Sequence, residues 1–303
     1  MIYKLTLNTA VDYVVFFDEL VGGKIMRSRS DMFFFGGKGI NVSWILYELG
    51  IRSVAMGFLA GFTGKAIEEG LSDRGIGCDF VYPENGFTRI NVKIRSDRET
   101  DINGKGPDIT ENEYTLLLEK LDCLCDGDVL IMAGSIPPTL PDDVYENIMK
   151  RLRKKKIEFV VDAAGELMVN ALKYRPFLIK PNMSELGEIF SRNLSSVSDA
   201  VEYSAKLQKM GARNVLVSMG ADGALLLDEY GKQHFMPAFP GKVVNTVGSG
   251  DSMVAGFVAG YSKTADFDYA LKLGSAAGSA TACCEGLADM KLIYKCMEQE
   301  DYT

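Results

Sequence analysis

Asn245-Thr246-Val247-Gly248-Ser249-Gly250-Asp251-Ser252 leads into residues 253–261, a stretch of helical pattern rich in small residues. Closely spaced glycines at a helix start leave backbone N–H groups free to point at an anion, and the positive helix end adds to the attraction. Gly248, Ser249 and Gly250 therefore form a candidate anion hole. Asp251 falls in the first helical turn, where that same positive end favours an ionised carboxylate. Such a group can accept the proton of a bound hydroxyl, and a loose phosphoryl transfer asks little of its base. The structural alternative is a glycine turn with Asp251 as helix N-cap.

From Ser249 onward the chain reads as helix throughout. Upstream, short apolar runs alternate with helix-period segments, the pattern of a mostly parallel central sheet flanked by helices. Strands are expected at 2–7, 53–59, 129–132, 159–161, 177–179 and 215–217, and helices at 41–49, 64–74, 142–155, 166–172 and 200–210. Two stretches break this rhythm and look like antiparallel insertions. Residues 88–95 alternate strictly, with Ile90, Val92 and Ile94 on one face and Arg89, Asn91, Lys93 and Arg95 on the other. Residues 99–103 can return as their partner, and 13–19 and 30–35 can supply further strands. No Ser/Gly linker divides the chain, so 1–303 reads as a single α/β domain with a small β-sheet lid inserted from about 12–35 and 87–106.

Composition excludes several chemistries. With 33 Lys+Arg against 41 Asp+Glu, the net charge of −8 disfavours nucleic-acid and membrane-surface binding, which need a positive field over the whole molecule. Residues 22–42 carry four Lys/Arg against one Asp, and residues 85–106 carry five against three Asp/Glu, so two basic islands lie in an acidic shell. The six cysteines form no C-x-x-C pair and read as free buried thiols of a reducing compartment. Met1 leads directly into a strand pattern without a signal peptide, and no apolar run approaches a bilayer span, so cytoplasmic residence is expected. The single histidine, His234, sits in the alternating stretch 232–237 as an ordinary strand residue, away from any nucleophile motif. Neither G-x-x-x-x-G-K-[ST] nor G-x-G-x-x-G nor a His-Arg-Asp loop occurs, which removes P-loop enzymes, Rossmann dehydrogenases and protein kinases.

Two further motifs carry chemistry. In Gly36-Gly37-Lys38-Gly39-Ile40-Asn41-Val42-Ser43, glycines let the backbone approach a ligand closely, while Lys38 and Asn41 offer a charge and a two-way amide suited to a sugar or phosphate. In Lys180-Pro181-Asn182-Met183-Ser184-Glu185, Asn182 and Glu185 stand three apart at a helix start. They can hold Mg²⁺ through its waters, and they equally fit a capping box.

Taken in order, these segments resemble the ribokinase-like (PfkB) family of carbohydrate kinases. Gly36 to Ser43 is similar to its N-terminal signature. Asn245 to Asp251 is similar to its C-terminal one, with Ser249 where Ala is usual. Lys180-Pro181-Asn182-x-x-Glu185 resembles its magnesium motif, and Ser218-Met219-Gly220-Ala221-Asp222-Gly223 its nucleotide-binding turn. The likeness runs from about residue 2 to 288. Within the family, Leu7 to Asp12, Thr88 to Lys93, Asn103-Gly104 and Ala133 to Pro138 resemble the branch acting on phosphorylated ketohexoses, nearer its 1-phosphofructokinases than its tagatose-6-phosphate kinases. The resemblance implies ATP and Mg²⁺, a homodimer clasped through the lid, and phosphorylation of fructose 1-phosphate at C6. The alternatives are tagatose 6-phosphate phosphorylated at C1, or a non-catalytic sugar-phosphate sensor. It makes Asp251 the base and puts Asp12, Gly37, Lys38, Asn41, Arg89, Asn91, Lys93 and Ser135 around the sugar phosphate. The nucleotide falls to Lys180, Asn182, Ser218, Gly220, Gly223, Gly250 and Ser279, with adenine near Ser275, and the metal to Asn182 and Glu185. Independently, the Arg89 guanidinium fork matches a phosphate.

Overall fold

A computed structural model describes residues 1–298, so the last five positions of the expected 1–303 span lie outside the described residues. From the N-terminus the chain runs β1 (Ile2–Thr6), β2 (Ala10–Phe16), β3 (Ser30–Gly36), α1 (Lys38–Glu48), β4 (Ser53–Phe58), α2 (Gly61–Ser72), β5 (Gly77–Val81), β6 (Arg89–Arg95), β7 (Thr100–Ile102) and α3 (Glu111–Leu121). It continues through β8 (Val129–Ala133), α4 (Val144–Leu152), β9 (Glu158–Asp162), α5 (Glu166–Ala171), β10 (Leu178–Ile179), α6 (Met183–Ile189), α7 (Val197–Met210) and β11 (Asn214–Ser218). β12 (Ala224–Leu227), β13 (Gln233–Met236), α8 (Ser249–Thr264), α9 (Phe267–Ala282) and α10 (Met290–Glu298) complete it.

Nine strands form one sheet in the order β13-β12-β11-β10-β9-β8-β1-β4-β5, parallel except where β12 pairs with β11 and β13. Its strands are apolar on both sides because helices cover both. Val161, Ile179 and Val217 pack with Leu117, Ile148 and Leu207 of α3, α4 and α7, while their neighbours Val160, Leu178 and Leu216 pack with Ile45, Phe257 and Ala276 of α1, α8 and α9. The one-residue offset between these sets is the pleat of the strand.

The lid is a second sheet, β3-β2-β6-β7. The insertions at 12–35 and 87–106 do supply its strands, but they are not antiparallel to each other: β2 pairs with β6 in parallel, Asp12 opposite Asn91, while β2–β3 and β6–β7 are antiparallel hairpins. The reason is topological. β2 follows β1 and β6 follows β5, and those two body strands point the same way, so both insertions rise from the body in one direction. Two other expectations change. Ile94 is only 9% exposed, so the apolar lid face is open mainly at Phe33 and Ile102 rather than along β6. The six cysteines are free, yet only Cys296 is buried, with Cys123 and Cys125 exposed.

Candidate active site

Site residues gather where the parallel strands end and the following segments turn into helices, the usual ligand position in such sheets. Gly248 adopts a left-handed conformation, φ 82°, as the N-cap of α8. A side chain there would also press on Leu287. The Ser249 amide donates to the Thr246 carbonyl at 3.2 Å and so leaves the expected anion hole, while helix geometry gives the amides of Gly250 and Asp251 no partner within α8. Asp251 is the third residue of the helix and not its N-cap.

The Asp251 side chain is buried, and its Oδ2 accepts from Asn41 Nδ2 at 2.7 Å. Burial and the nearby Asp162 carboxylate push Asp251 up to about 6, against the opposing pull of Asn41, Lys38 and Lys180. α1 thus brings Asn41 to Asp251, and Gly37, at φ 109°, starts that helix where a side chain would crowd Thr6 at 3.1 Å.

Across the cleft, the polar face of the lid makes a second cluster. Asp12 accepts from Asn91 Nδ2 at 2.8 Å and lies 3.4 Å from Lys93 Nζ. Gly36 has no side chain where one would stand 2.6 Å from the Asp12 carboxylate, so the strand pair closes tightly on it. Arg89 donates from Nη2 to the Asn8 carbonyl at 3.1 Å, and its buried Nε has no partner among the described residues. A cavity of about 820 Å³ opens beside Asp12, Asn41, Lys93 and Arg95, walled by Phe34 and Trp44 and by segments 243–247 and 285–287. Ser135, just past β8, is exposed.

The other side is built from β10 and β11. Ser218 N donates to Pro181 O at 3.1 Å and Asn182 bridges to Ser218, and these contacts hold the two turns side by side. Gly220 and Gly223 have φ of 60° and 94°, and Met219 N closes the turn onto Gly223 O at 2.8 Å. A smaller cavity, about 340 Å³, lies against Asn182, Ser218 and Gly220. Asn182 and Glu185 form the reciprocal capping box, each accepting from the other's amide at 2.8 and 2.9 Å. The only side-chain oxygen of Asn182 and one of the two on Glu185 are therefore engaged at the helix start, and among the described residues no group of three or more His, Cys, Asp or Glu is placed to hold a metal ion. That donor set fits a hydrated magnesium shared with phosphates better than a protein cage. Ser279 accepts from Phe239 N at 3.3 Å and so anchors the loop after β13, while the buried Ser275 hydroxyl has no partner among the described residues.

Two groups escaped the sequence reading. Asp162, fully buried at the end of β9, lies 3.0 Å from Lys38 Nζ and 3.4 Å from Lys180 Nζ, and these ammonium groups hold it below the usual carboxylate range in spite of its burial. No local pattern marks a lone Asp at a strand end. His234 is on a strand as expected, but it is buried between Asp228, at 2.9 Å from Nε2, and Asp268 at Nδ1. It links β13 to α9 and lies outside the cleft.

The pfkB carbohydrate kinase family pattern matches residues 5–292. A 1-phosphofructokinase of Bacillus subtilis is 42% identical over 303 residues, covering 100% of this chain and 99% of that one. A D-tagatose-1-phosphate kinase of Bacillus licheniformis is 39% identical over 304 residues, covering 100% and 99%. The crystal structure of Escherichia coli phosphofructokinase-2 in complex with fructose-6-phosphate superposes with a TM-score of 0.90 at 27% identity, covering 98% of each chain. With this match over nearly its whole length, and with the expected α/β fold, lid and buried carboxylate at the start of α8 in place, the chain belongs to the pfkB family of carbohydrate kinases.

Proposed function

We propose that the protein transfers the γ-phosphoryl group of ATP to the C6 hydroxyl of fructose 1-phosphate, giving fructose 1,6-bisphosphate. The observation that carries this reading is the buried Asp251, tied to Asn41 on the sugar side and standing beside the two free amides of α8. The nucleotide lies along Lys180, Asn182, Ser218, Gly220 and Gly223 with its phosphates over Gly250, and Ser279 shapes the loop against the adenine. The sugar lies between Asn41, Gly37 and Lys38 on the body and Asp12, Asn91 and Lys93 on the lid, with Ser135 at its margin. Arg89, whose buried Nε lacks a partner among the described residues, meets the substrate phosphate.

Asp251 takes the hydroxyl proton as the C6 oxygen attacks in line, and the amides of Gly250 and Asp251 stabilise the charge on the transferring group. Asn182 and Glu185 are the residues that would hold Mg²⁺ through its waters, and the ion would supply neutralisation of the nucleotide phosphates. Lid and body act as one catalytic unit, and the closed lid excludes water from the phosphoryl group. Two copies pair through the lid faces, and the protein works in the cytoplasm on soluble substrates.

Relatives named D-tagatose-1-phosphate kinase support a second reading, with the C4 epimer as substrate. It keeps the substrate phosphate on C1, unlike the tagatose 6-phosphate alternative. The sensor reading is disfavoured because Asp251, Asn182 and Glu185 are all in place. Asp251→Asn tests the mechanism: kcat should fall by about 10²-fold or more with the KM for sugar phosphate largely kept, and the wild-type kcat should decline below about pH 6. Near-normal turnover by the variant would refute the assignment of the base.

A further inference from the structure

Asp162 stands between the two halves of the cleft. Its Oδ1 lies 3.0 Å from Lys38 Nζ, at the start of α1 on the sugar side, and 3.4 Å from Lys180 Nζ, just past β10 on the nucleotide side. Its Oδ2 is buried with no partner among the described residues. A carboxylate placed only to staple strands would be expected to satisfy both oxygens, because an unpaired buried acceptor is costly. The backbone, moreover, is already anchored without the side chain: Gly134 N donates to Asp162 O at 3.1 Å, and Lys180 N to Val161 O at 3.2 Å. Lys180 Nζ also rests against the anion hole, 3.3 Å from where a side chain on Gly250 would begin.

We propose that Asp162 is a positioning residue for phosphoryl transfer: its shared carboxylate oxygen holds the ammonium groups of Lys38 and Lys180 on either side of the in-line path, one toward the acceptor sugar and one toward the phosphoryl group. Two ammonium groups within 3.4 Å of one oxygen repel each other, and free lysine side chains have many rotamers. A common anion removes the repulsion and most of the rotamer freedom before substrate arrives, so the cations need no reorganisation as charge develops. The same carboxylate acts on the base. Asp251 is faced by Asp162 from β9, by Lys38 and Asn41 from α1 and by Lys180 beyond β10, and Glu185 of α6 adds to the field at Lys38. Removing the Asp162 charge leaves two cations and no second anion beside Asp251, which draws its ionisation to lower pH.

The inference rests on Asp251 being the base, and two sets of variants keep the two ideas apart. In the full-length protein, Asp162→Asn should lower kcat by about 10²-fold and move the acid limb of the kcat–pH profile down by about one pH unit. Added to Lys180→Met, it should cost clearly less than the roughly 10²-fold it costs alone, since Lys180 is then already lost and only Lys38 is left for the carboxylate to hold. Asp162→Glu should keep the acid limb in place while kcat stays reduced; because it retains the charge, it decides the matter if Asp162→Asn does not fold. A wild-type kcat in either variant, an unmoved limb in Asp162→Asn, full additivity with Lys180→Met, or recovery of Asp162→Asn at raised Mg²⁺ would each overturn the proposal. Turnover by Asp251→Asn would instead remove the reading beneath it.

Discussion

Lys4 shows how much one side chain can cost. It lies on the interior strand β1, fully buried, with no hydrogen-bond partner for Nζ among the described residues, and burial pulls its pKa from 10.5 to about 7. The unfolded chain keeps its proton up to about 10.5, so between pH 7 and 10.5 the unfolded state binds more protons and stability climbs with pH; below 7 the full penalty applies. Lys4→Met should therefore raise the unfolding midpoint at pH 7 by roughly 3 °C or more and flatten its rise between pH 7 and 9. Identical pH slopes in the two proteins would count against a neutralised lysine. Single residues were legible in the sequence when a local pattern held them. Asn41, Lys38 and Asp251 sit beside glycines at helix starts, a pattern visible in the sequence, whereas Asp162 and Lys4 take their meaning from neighbours 124 to 18 residues distant or from burial alone.

Helices α8 and α9 meet through their glycines. A Cβ on Gly256 would stand 2.6 Å from the Leu273 carbonyl oxygen and 2.8 Å from Gly274 Cα, while one on Gly274 would stand 2.8 Å from Met253 O. Such backbone contact fixes the start of α8, and with it Gly250 and Asp251, relative to the loop that Ser279 anchors. Gly256→Ala should lower the unfolding midpoint by roughly 3–8 °C through overpacking, measured by thermal scanning; an unchanged midpoint would show that the helices separate freely. The small-residue run after Asp251 announced this helix, and the strict alternation at 88–95 announced β6. Other elements were silent. β12 is buried at every position and shows no alternation, and β5 and α3 carry no distinct period between stronger neighbouring signals. The parallel pairing of β2 with β6 joins segments separated by 79 positions, so no local pattern could reveal it.

The acidic shell with two basic islands becomes spatial in the folded chain: Lys93 and Arg95 line the large cavity, Arg89 lies on the same strand as they do, and Lys38 starts the helix whose Asn41 lines it too. A local positive field within a chain of net negative charge attracts a small phosphorylated sugar without requiring a positive field over the whole molecule. The lid also carries Phe33 and Ile102 on its other face, 64% and 56% exposed, and a second copy would cover them. At micromolar concentration the wild type should sediment as a dimer, and Phe33→Asp with Ile102→Asp as a monomer; a monomeric wild type would remove the clasp. What the whole assembly does is tested most directly by ADP release with equal concentrations of fructose 1-phosphate, tagatose 1-phosphate, tagatose 6-phosphate and fructose 6-phosphate. The kcat/KM for fructose 1-phosphate should stand at least about tenfold above each of the others, roughly what the net contribution of one hydrogen bond, about 1.4 kcal/mol, provides. No ADP release with fructose 1-phosphate, or a higher kcat/KM with any of the other three, would contradict it.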